Sequence, residues 1–497
     1  MEYRRNWAAA NRTLRNANVT MPLNHEDDDL FELSPHTSPL RNSDNESDLE
    51  QDEPSPKCAR TSPQPSLPLH DDVDSDVIER NDGSSSNSED VNVNDDSLCE
   101  GTNGHPDLPA CARTLLHTSR SISIQKKSGM EYVYFPLAAQ LLHHFKRYPA
   151  ETVRGMDTLE ISLNVDGLPL FKSSSTNLWP VLCAIVNVKP IIVFPVVLTC
   201  GSSKPKDLEF LEELINDLDN ILKDGVQDGD RVLSVSLRCV VCDAPARALV
   251  KGTKLCSGYF GCDKCAQKGL WVGRVTYPQI KNVELRTDAS FRQQVNEEHH
   301  HCVSPFCNLP VDVVKKFPID YMHQLCLGVM RKLILAWMRG KRDVRMSAGH
   351  VEAVSKKLVE LKPFVPTVFA RKPRGLAESD RWKATEFSVA SSILVSPALA
   401  QSHKDYAKQL MEYFVEQGKL LYGDEFLVYN VHSMIHLADV VGEFGSLDAC
   451  SSFPFENYMQ KLKRLVRSGR NPIAQIAKRM SEYSGTVEDT RQCFPVG

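Results

Sequence analysis

Residues 231–252, RVLSVSLRCVVCDAPARALVKG, decide how the fold is read. Val232, Val235, Leu237, Val240 and Val241 make the first half apolar and β-branched, which is strand composition. The second half breaks at Asp243 and Pro245 into an Ala-rich helix start. An Asp between a strand and a helix has two readings. Its carboxylate can cap the amides that follow it. It can also belong to a set of metal-binding carboxylates, in which case the chain must supply partners.

The first partner lies upstream. DTLEISLNVDG (157–167) alternates as a strand and ends at Asp166, and WPVLCAIVNV (179–188) and PIIVFPVVLTC (190–200) read as second and third strands. KPKDLEFLEELINDLDNILKDG (204–225) then spaces Leu208, Leu211, Leu214, Ile215, Leu218, Ile221 and Leu222 as a helix, from Pro205 to the stop at Gly225. With 231–241 as the fourth strand, the order is strand, strand, strand, helix, strand, that of a ribonuclease-H-like α/β fold. In that order the first and fourth strands are neighbours, so Asp166 and Asp243 converge at one edge of the sheet. Two close carboxylates repel unless a cation neutralises them, and Mg²⁺ prefers carboxylate and water oxygens. Two metal ions about 3.5–4 Å apart suit phosphodiester chemistry. A third acid is expected from a helix further along.

The chain has 497 residues, 41% of them hydrophobic, which leaves room for several folding units. Residues 1–110 read as a disordered acidic tail, because 24–105 are dense in Asp, Glu, Ser, Pro and Asn and carry Ser-Pro and Thr-Pro sites open to phosphorylation. The net charge of −6 is therefore weighted by the tail, while Lys and Arg gather at 141–154 and 461–479, so nucleic acid is not excluded. Residues 1–20 have no apolar signal core, and no run approaches the ~18–20 apolar residues of a membrane span. A soluble intracellular protein with no membrane partner is expected, and its 15 cysteines fit reduced thiols and a metal site. A basic lead-in over 111–154 is a possible DNA contact.

After Asp243, CSGYFGCDKC (256–265) holds a CxxC at Cys262 and Cys265. A tetrahedral Zn²⁺ needs two more soft or imidazole ligands. His432 and His436 in NVHSMIHLADV (430–440) lie one helical turn apart and face the same way. Cys302, Cys307 and Cys326 are alternative ligands. Residues 256–445 otherwise read as a helical insertion, with apolar periodicity in 320–340, 347–364 and 405–422. Asp320 and His323 form a DxxH pair at its head, a pattern that also suits an ordinary helix N-terminus. Two glutamates compete as third acid: Glu386 in RWKATEF (381–387) and Glu456 in FPFENYMQKLKR (453–464). Glu456 is preferred, since its helix follows the His pair and carries Lys461, Lys463, Arg464, Arg467 and Arg470 just downstream, suited to phosphates.

Five blocks carry a resemblance: LEISLNVDGLPLFKSSSTNLWPVLC, VVCDAPARALVKGTK with GYFGCDKC, FPIDYMHQLCLGVMRKLIL, RWKATEF and FPFENYMQKLKRLVRSGRNPIAQI. Over roughly residues 155–480 the chain resembles the transposases of animal CACTA (En/Spm-like) DNA transposons, a DDE class. It is also similar in layout to Transib transposases and the V(D)J recombinase, whose His pair is about one residue wider than HxxxH. The resemblance implies a core over 155–255 completed by 446–497, with Asp166, Asp243 and Glu456 as catalytic acids holding two Mg²⁺ or Mn²⁺ ions. It implies Asp320 and His323 as accessory residues and Cys262, Cys265, His432 and His436 as ligands of one structural Zn²⁺. It implies a homo-oligomeric nuclear protein that acts on transposon ends and target DNA. A domesticated DNA-binding or scaffolding protein without turnover is the alternative.

Overall fold

The structure, a computed structural model, describes residues 123–365, 371–395 and 404–493. The acidic tail expected over 1–110 and the first part of the 111–154 lead-in lie outside the described residues. The rest of the lead-in is part of the sheet. Strands β1 (Gln125–Lys127) and β2 (Met130–Tyr134) form a hairpin, followed by helix α1 (Leu137–Phe145). Strands β3 (Thr158–Val165), β4 (Leu168–Pro169), β5 (Asn177–Ile185) and β6 (Ile192–Gly201) come next, then helix α2 (Glu212–Asp224). Strands β7 (Val226–Asp228) and β8 (Arg231–Val241) lead into helix α3 (Ala244–Lys251). Helix α2 begins later than Pro205 because Asp207 is engaged elsewhere. Its carboxylate accepts from Ser128 Oγ at 2.5 Å and from the Glu209 amide at 3.1 Å, tying this stretch to the β1–β2 turn.

The strands make one mixed sheet in the order β1-β2-β6-β5-β3-β8-β7, with β4 on β5. Every pair is antiparallel except β3 and β8, which run parallel. Alternation along β5 shows why both faces are covered. Leu178, Leu182 and Ala184 face one core with residues of the later helices, while Val181, Cys183 and Ile185 face a second core with Leu137, Leu141, Leu214, Leu218 and Val250.

The 256–445 stretch is helical only in its later part, which corrects the expectation for its beginning. From Thr253 to Phe317 the backbone is mostly irregular, apart from the small hairpin of β9 (Leu270–Trp271) and β10 (Val275–Thr276) and the short helix Asp288–Arg292. The physical reason is that this stretch lacks a 3.6-residue apolar period and satisfies its carbonyls with buried cations instead. Lys264 Nζ donates to Val314 O and Phe317 O at 2.6 and 2.7 Å, and Arg286 Nε to Cys262 O at 3.1 Å. Helical structure resumes with a π-wound segment, Met322–Met330, continuous with α4 (Arg331–Arg339). Helices α5 (Ala348–Glu360), α6 (Ala384–Val395) and α7 (Lys404–Tyr422) follow. A turn at Tyr429–His432 and another at Ser433–His436 run into α8 (Leu437–Phe444), then α9 (Phe453–Arg464) and α10 (Pro472–Cys493). Phe455, Met459, Leu462, Ile473 and Ile476 put α9 and α10 on the first sheet core.

Candidate functional site

The parallel pairing of β3 and β8 sets the first two acids. In that register Asn164 lies opposite Val241, and Asp166 and Asp243 each stand two residues beyond, at the same end of adjacent strands. Asp166 Oδ1 accepts from the Gly167 amide at 2.7 Å. Asp243 caps α3, with Oδ1 accepting from the Ala246 amide at 2.7 Å. The capping reading of Asp243 is thus met, and its carboxylate also stands close enough to Asp166 for the two charges to interact.

Glu456 arrives from the first turn of α9. Asp166, His323 and Glu456 bring one donor atom each to within 4.8 Å of one another, a group that could hold a metal ion. Burial, then the Asp243 charge, pushes the Asp166 carboxyl well above its usual range, and Glu456 adds to the push. Burial likewise raises Glu456, against the pull of His323 and a hydrogen bond with Asp166. Two carboxyls at hydrogen-bond distance do not both ionise without a neighbouring cation. His323 is that neighbour. Burial opposes its charge, but the hydrogen bond and charge of Asp320, with the charges of Asp166 and Asp243, raise it to about 10.

Asp320, a buried residue, orients this imidazole. Its Oδ2 lies 2.6 Å from His323 Nδ1 and accepts from the His323 amide at 3.1 Å, so Nε2 points to Glu456 Oε1, 3.8 Å away. Its Oδ1 accepts from the Ser452 amide at 2.9 Å, and Ser452 is the N-cap residue of α9. The DxxH pair thus does more than start a helix: Asp320 holds the segment bearing His323 against the helix bearing Glu456.

The rival glutamate is elsewhere. Glu386 is buried against Arg374, with Oε1 at 2.6 Å from Nε and Oε2 at 3.0 Å from Nη2, and Oε2 also accepts from the Lys383 amide at 2.8 Å. Both oxygens are occupied in a structural ion pair. In the basic run, Lys461, Arg464, Arg467 and Arg470 are exposed, whereas half-buried Lys463 donates to Pro169 O at 2.6 Å, tying α9 to the loop after Asp166.

The second cluster joins Cys262, Cys265, His432 and His436, all buried, with donor atoms mutually within 4.8 Å. Cys262 Sγ lies 3.6 Å from His436 Nε2, Cys265 Sγ 3.3 Å from His432 Nε2, and the two Nε2 atoms are 3.4 Å apart. Bonds of about 2.3 Å to sulfur and 2.0–2.1 Å to nitrogen, at tetrahedral angles, give edges of roughly 3.3–3.8 Å. The donor set fits a zinc-like ion. Although burial opposes ionisation, Cys265 and the two imidazoles hold the Cys262 thiol well below its usual value. Cys302 is exposed and Cys307 half-buried, and neither they nor Cys326 belongs to this cluster.

The two residues between the cysteines tie this cluster to the carboxylates, a link not evident from the motif. Asp263 Oδ2 is 3.1 Å from Arg247 Nε on α3, the helix capped by Asp243, and its Oδ1 accepts from Tyr429 Oη at 2.9 Å. Arg247 also donates to Tyr429 Oη at 2.5 Å and to Pro318 O at 3.2 Å. Lys264 holds the carbonyls of Val314 and Phe317, just before Asp320. Gln324 donates to Asn430 Oδ1 at 2.9 Å, closing the loop from the π-wound segment back to the histidine turn.

No protein-family model matches the chain, and no curated protein matches it either. Among the described residues no helix is long and apolar enough to cross a membrane.

Proposed function

We propose that the chain is a DDE-type DNA nuclease and strand-transfer protein with a ribonuclease-H-like core interrupted by the 256–445 insertion. The observation that carries this reading is the meeting of Asp166, Glu456 and His323 beside Asp243, from segments far apart in sequence. The strand order around β3, with β5 and β6 on one side and parallel β8 on the other, supports the core assignment. The resemblance to CACTA transposases supplies the reaction class, with transposon ends and target DNA as substrate, a homo-oligomer as the working form and the nucleus as its place.

Asp166, Asp243 and Glu456 would hold Mg²⁺ or Mn²⁺, whose chemistry is activation of a water or 3′-hydroxyl and stabilisation of the leaving oxygen. Asp243 has one carboxylate oxygen fixed by its cap to α3, which leaves the other to serve as a ligand. Asp320 fixes the ring of His323, whose Nε2 carries or passes a proton at the edge of the cluster. Lys461, Arg464, Arg467 and Arg470, on α9 and just after it, offer charge to the DNA backbone. Cys262, Cys265, His432 and His436 would hold Zn²⁺ as a structural ion.

The test is a nicking assay with the full chain, Mg²⁺ or Mn²⁺, and plasmid DNA carrying the gene's own flanking sequences. Asp166→Asn, Asp243→Asn and Glu456→Gln are each expected to abolish nicking and to retain DNA binding. An Asp166→Asn protein that nicks like the parent refutes the assignment. A parent that binds without nicking points instead to a domesticated DNA-binding protein.

A further inference from the structure

The β9–β10 hairpin presents an indole to solvent beside cations. Trp271 is 65% exposed and Leu270 54% exposed, in a chain where large apolar side chains are otherwise mostly packed. The hairpin turns through Val272 and Gly273, the latter at φ +68°, with the Val272 amide donating to Arg274 O at 2.8 Å. Exposed Arg274 lies at the tip, and exposed Lys268 lies at the base just before β9, its Nζ 5.8 Å from the Phe260 ring centroid. Of the cations in residues 264–283, Lys264 is bound to the carbonyls of Val314 and Phe317 and Lys281 pairs with Glu416 at 2.7 Å, so Lys268 and Arg274 are the two that the hairpin turns to solvent.

The hairpin is rigidly mounted. Thr276 Oγ1 donates to Leu270 O at 3.2 Å, and the Gly269 amide to Tyr259 O at 2.5 Å. The next residue, Tyr277, stacks on His432 at 5.0 Å between ring centroids and donates to Gly258 O at 2.5 Å, while its amide bonds Leu427 O at 2.8 Å. Trp271 therefore projects from the Cys/His cluster on a short stiff support. A rigid aromatic held outward costs folding its burial energy and is pre-organised for a flat partner.

We propose that this hairpin is a nucleic-acid contact in which the Trp271 indole stacks on an unpaired base while Lys268 and Arg274 engage the flanking phosphates. Charge selects the partner: cores of protein–protein interfaces are depleted in Lys, whereas cations around an aromatic face suit a base on a phosphate chain. Geometry selects the unpaired base, because both faces of a paired base are covered by its neighbours in the duplex. The inference rests on the DNA-processing reading for the identity of the polymer and is independent of turnover.

The experiment measures fluorescence anisotropy of the full-length protein, without Mg²⁺ or Mn²⁺, on two labelled DNAs: a blunt duplex and the same duplex with a single-stranded extension. Trp271→Ala is expected to lose roughly 5- to 150-fold in affinity for the extended DNA, the range of one stacked base, and nothing for the blunt duplex. Trp271→Phe should restore most of the loss. Lys268→Ala with Arg274→Ala should weaken both and lower the salt slope by about 1.4–1.8. Unchanged zinc content and melting temperature in Trp271→Ala establish that the fold is intact. A Trp271→Ala protein that keeps the parent's affinity for the extended DNA overturns the proposal. A change in oligomeric mass with unchanged DNA affinity also overturns it and assigns the hairpin to a protein contact. A parent that binds the extended DNA but never nicks defeats the nuclease reading and leaves the hairpin contact standing.

Discussion

Replacing Asp263 by Ala strands a buried guanidinium. Arg247 and Asp263 expose only 3% and 7% of their side chains. Burial alone would raise the Asp263 carboxyl, yet Arg247 first, then Lys251 and Lys264, hold it far below the usual carboxylate range. Breaking one side of such a pair costs about 3–5 kcal/mol. The hydrogen bond lost by Tyr429 Oη falls within that figure, since Arg247, Asp263 and Tyr429 form one network. Against a domain stability of about 5–15 kcal/mol the variant still folds at room temperature. At about 2 °C per kcal/mol for a large domain its melting temperature falls roughly 6–10 °C. Zinc affinity should drop about 10- to 100-fold, because the chain supporting Cys262 and Cys265 loses its anchor. Adding Arg247→Met removes the stranded charge, so Asp263→Ala/Arg247→Met should melt above Asp263→Ala alone. Calorimetry of the four proteins, with zinc measured by atomic emission, checks this, and strict additivity of the two losses would refute the ion-pair account. The pH dependence is a second check. A depressed folded pKa gives stability that is complete above the unfolded Asp value of about 4 and is lost as pH falls through the folded value. The deficit of Asp263→Ala should thus be constant from neutral pH down to about 5 and shrink in stronger acid.

The raised Asp166 and Glu456 carboxyls work in the opposite sense: the metal-free protein should lose stability as pH rises above the ordinary carboxylate range near 4. Glu456→Gln should flatten that fall and abolish the rise in melting temperature given by Mn²⁺ in the parent, both read by thermal shift. Lys251 is fully buried, its Nζ 4.6 Å from the Phe291 ring centroid, and burial lowers it to about 7 despite Asp263. The unfolded chain holds this proton between pH 7 and about 10.4, so stability should rise with pH across that window. Lys251→Met should remove the slope and stabilise the protein at neutral pH by about 1–4 kcal/mol in denaturant titrations. His432→Ala with His436→Ala should release the zinc and lower the melting temperature, whereas Asp166→Asn should change zinc content not at all.

The four main strands were legible because β3 and β8 alternate apolar and polar residues while β5 and β6 are short, nearly continuous apolar runs, the pattern of strands covered on both faces. The β1–β2 hairpin was not, since Gln125, Lys126 and Lys127 make a short polar edge strand that pairs with β2, and β2 is placed in turn by its pairing with β6. Asp166 and Asp243 could be named as soon as β3 and β8 were neighbours, because both sit at strand ends. Both Glu386 and Glu456 open helices, and in sequence the position after the His pair and the basic run downstream favour Glu456. What separates them in the structure is Arg374, which reaches Glu386 from outside its helix and occupies both oxygens. The Arg247–Asp263 pair was not singled out in the sequence. Its one sequence signal was Arg247 and Lys251 one turn apart in a helix whose other residues are mostly Ala, Val and Leu.

Of the three acids proposed above, the sheet supplies only two, so the segment between α3 and α9 has to bring the third. Strand pairing fixes Asp166 against Asp243, but nothing in the β-ladder reaches Glu456, which depends on where α9 returns. That return is held at two points. Lys463 binds the carbonyl of Pro169 beyond Asp166, and the Ser452 amide binds Asp320, whose other oxygen positions His323. Asp320 is in turn preceded by the carbonyls that Lys264 and Arg247 hold. Lys264 lies between the two cysteines, and Arg247 lies on the helix capped by Asp243. The Cys/His cluster is therefore connected to both sides of the carboxylate group through hydrogen bonds and short stretches of backbone. On the proposed reading, the buried metal-type cluster, with Cys262 19 residues after Asp243 and His436 20 residues before Glu456, is built from the two ends of the insertion. It closes the insertion into a frame, and the frame sets the approach of Glu456 to Asp166.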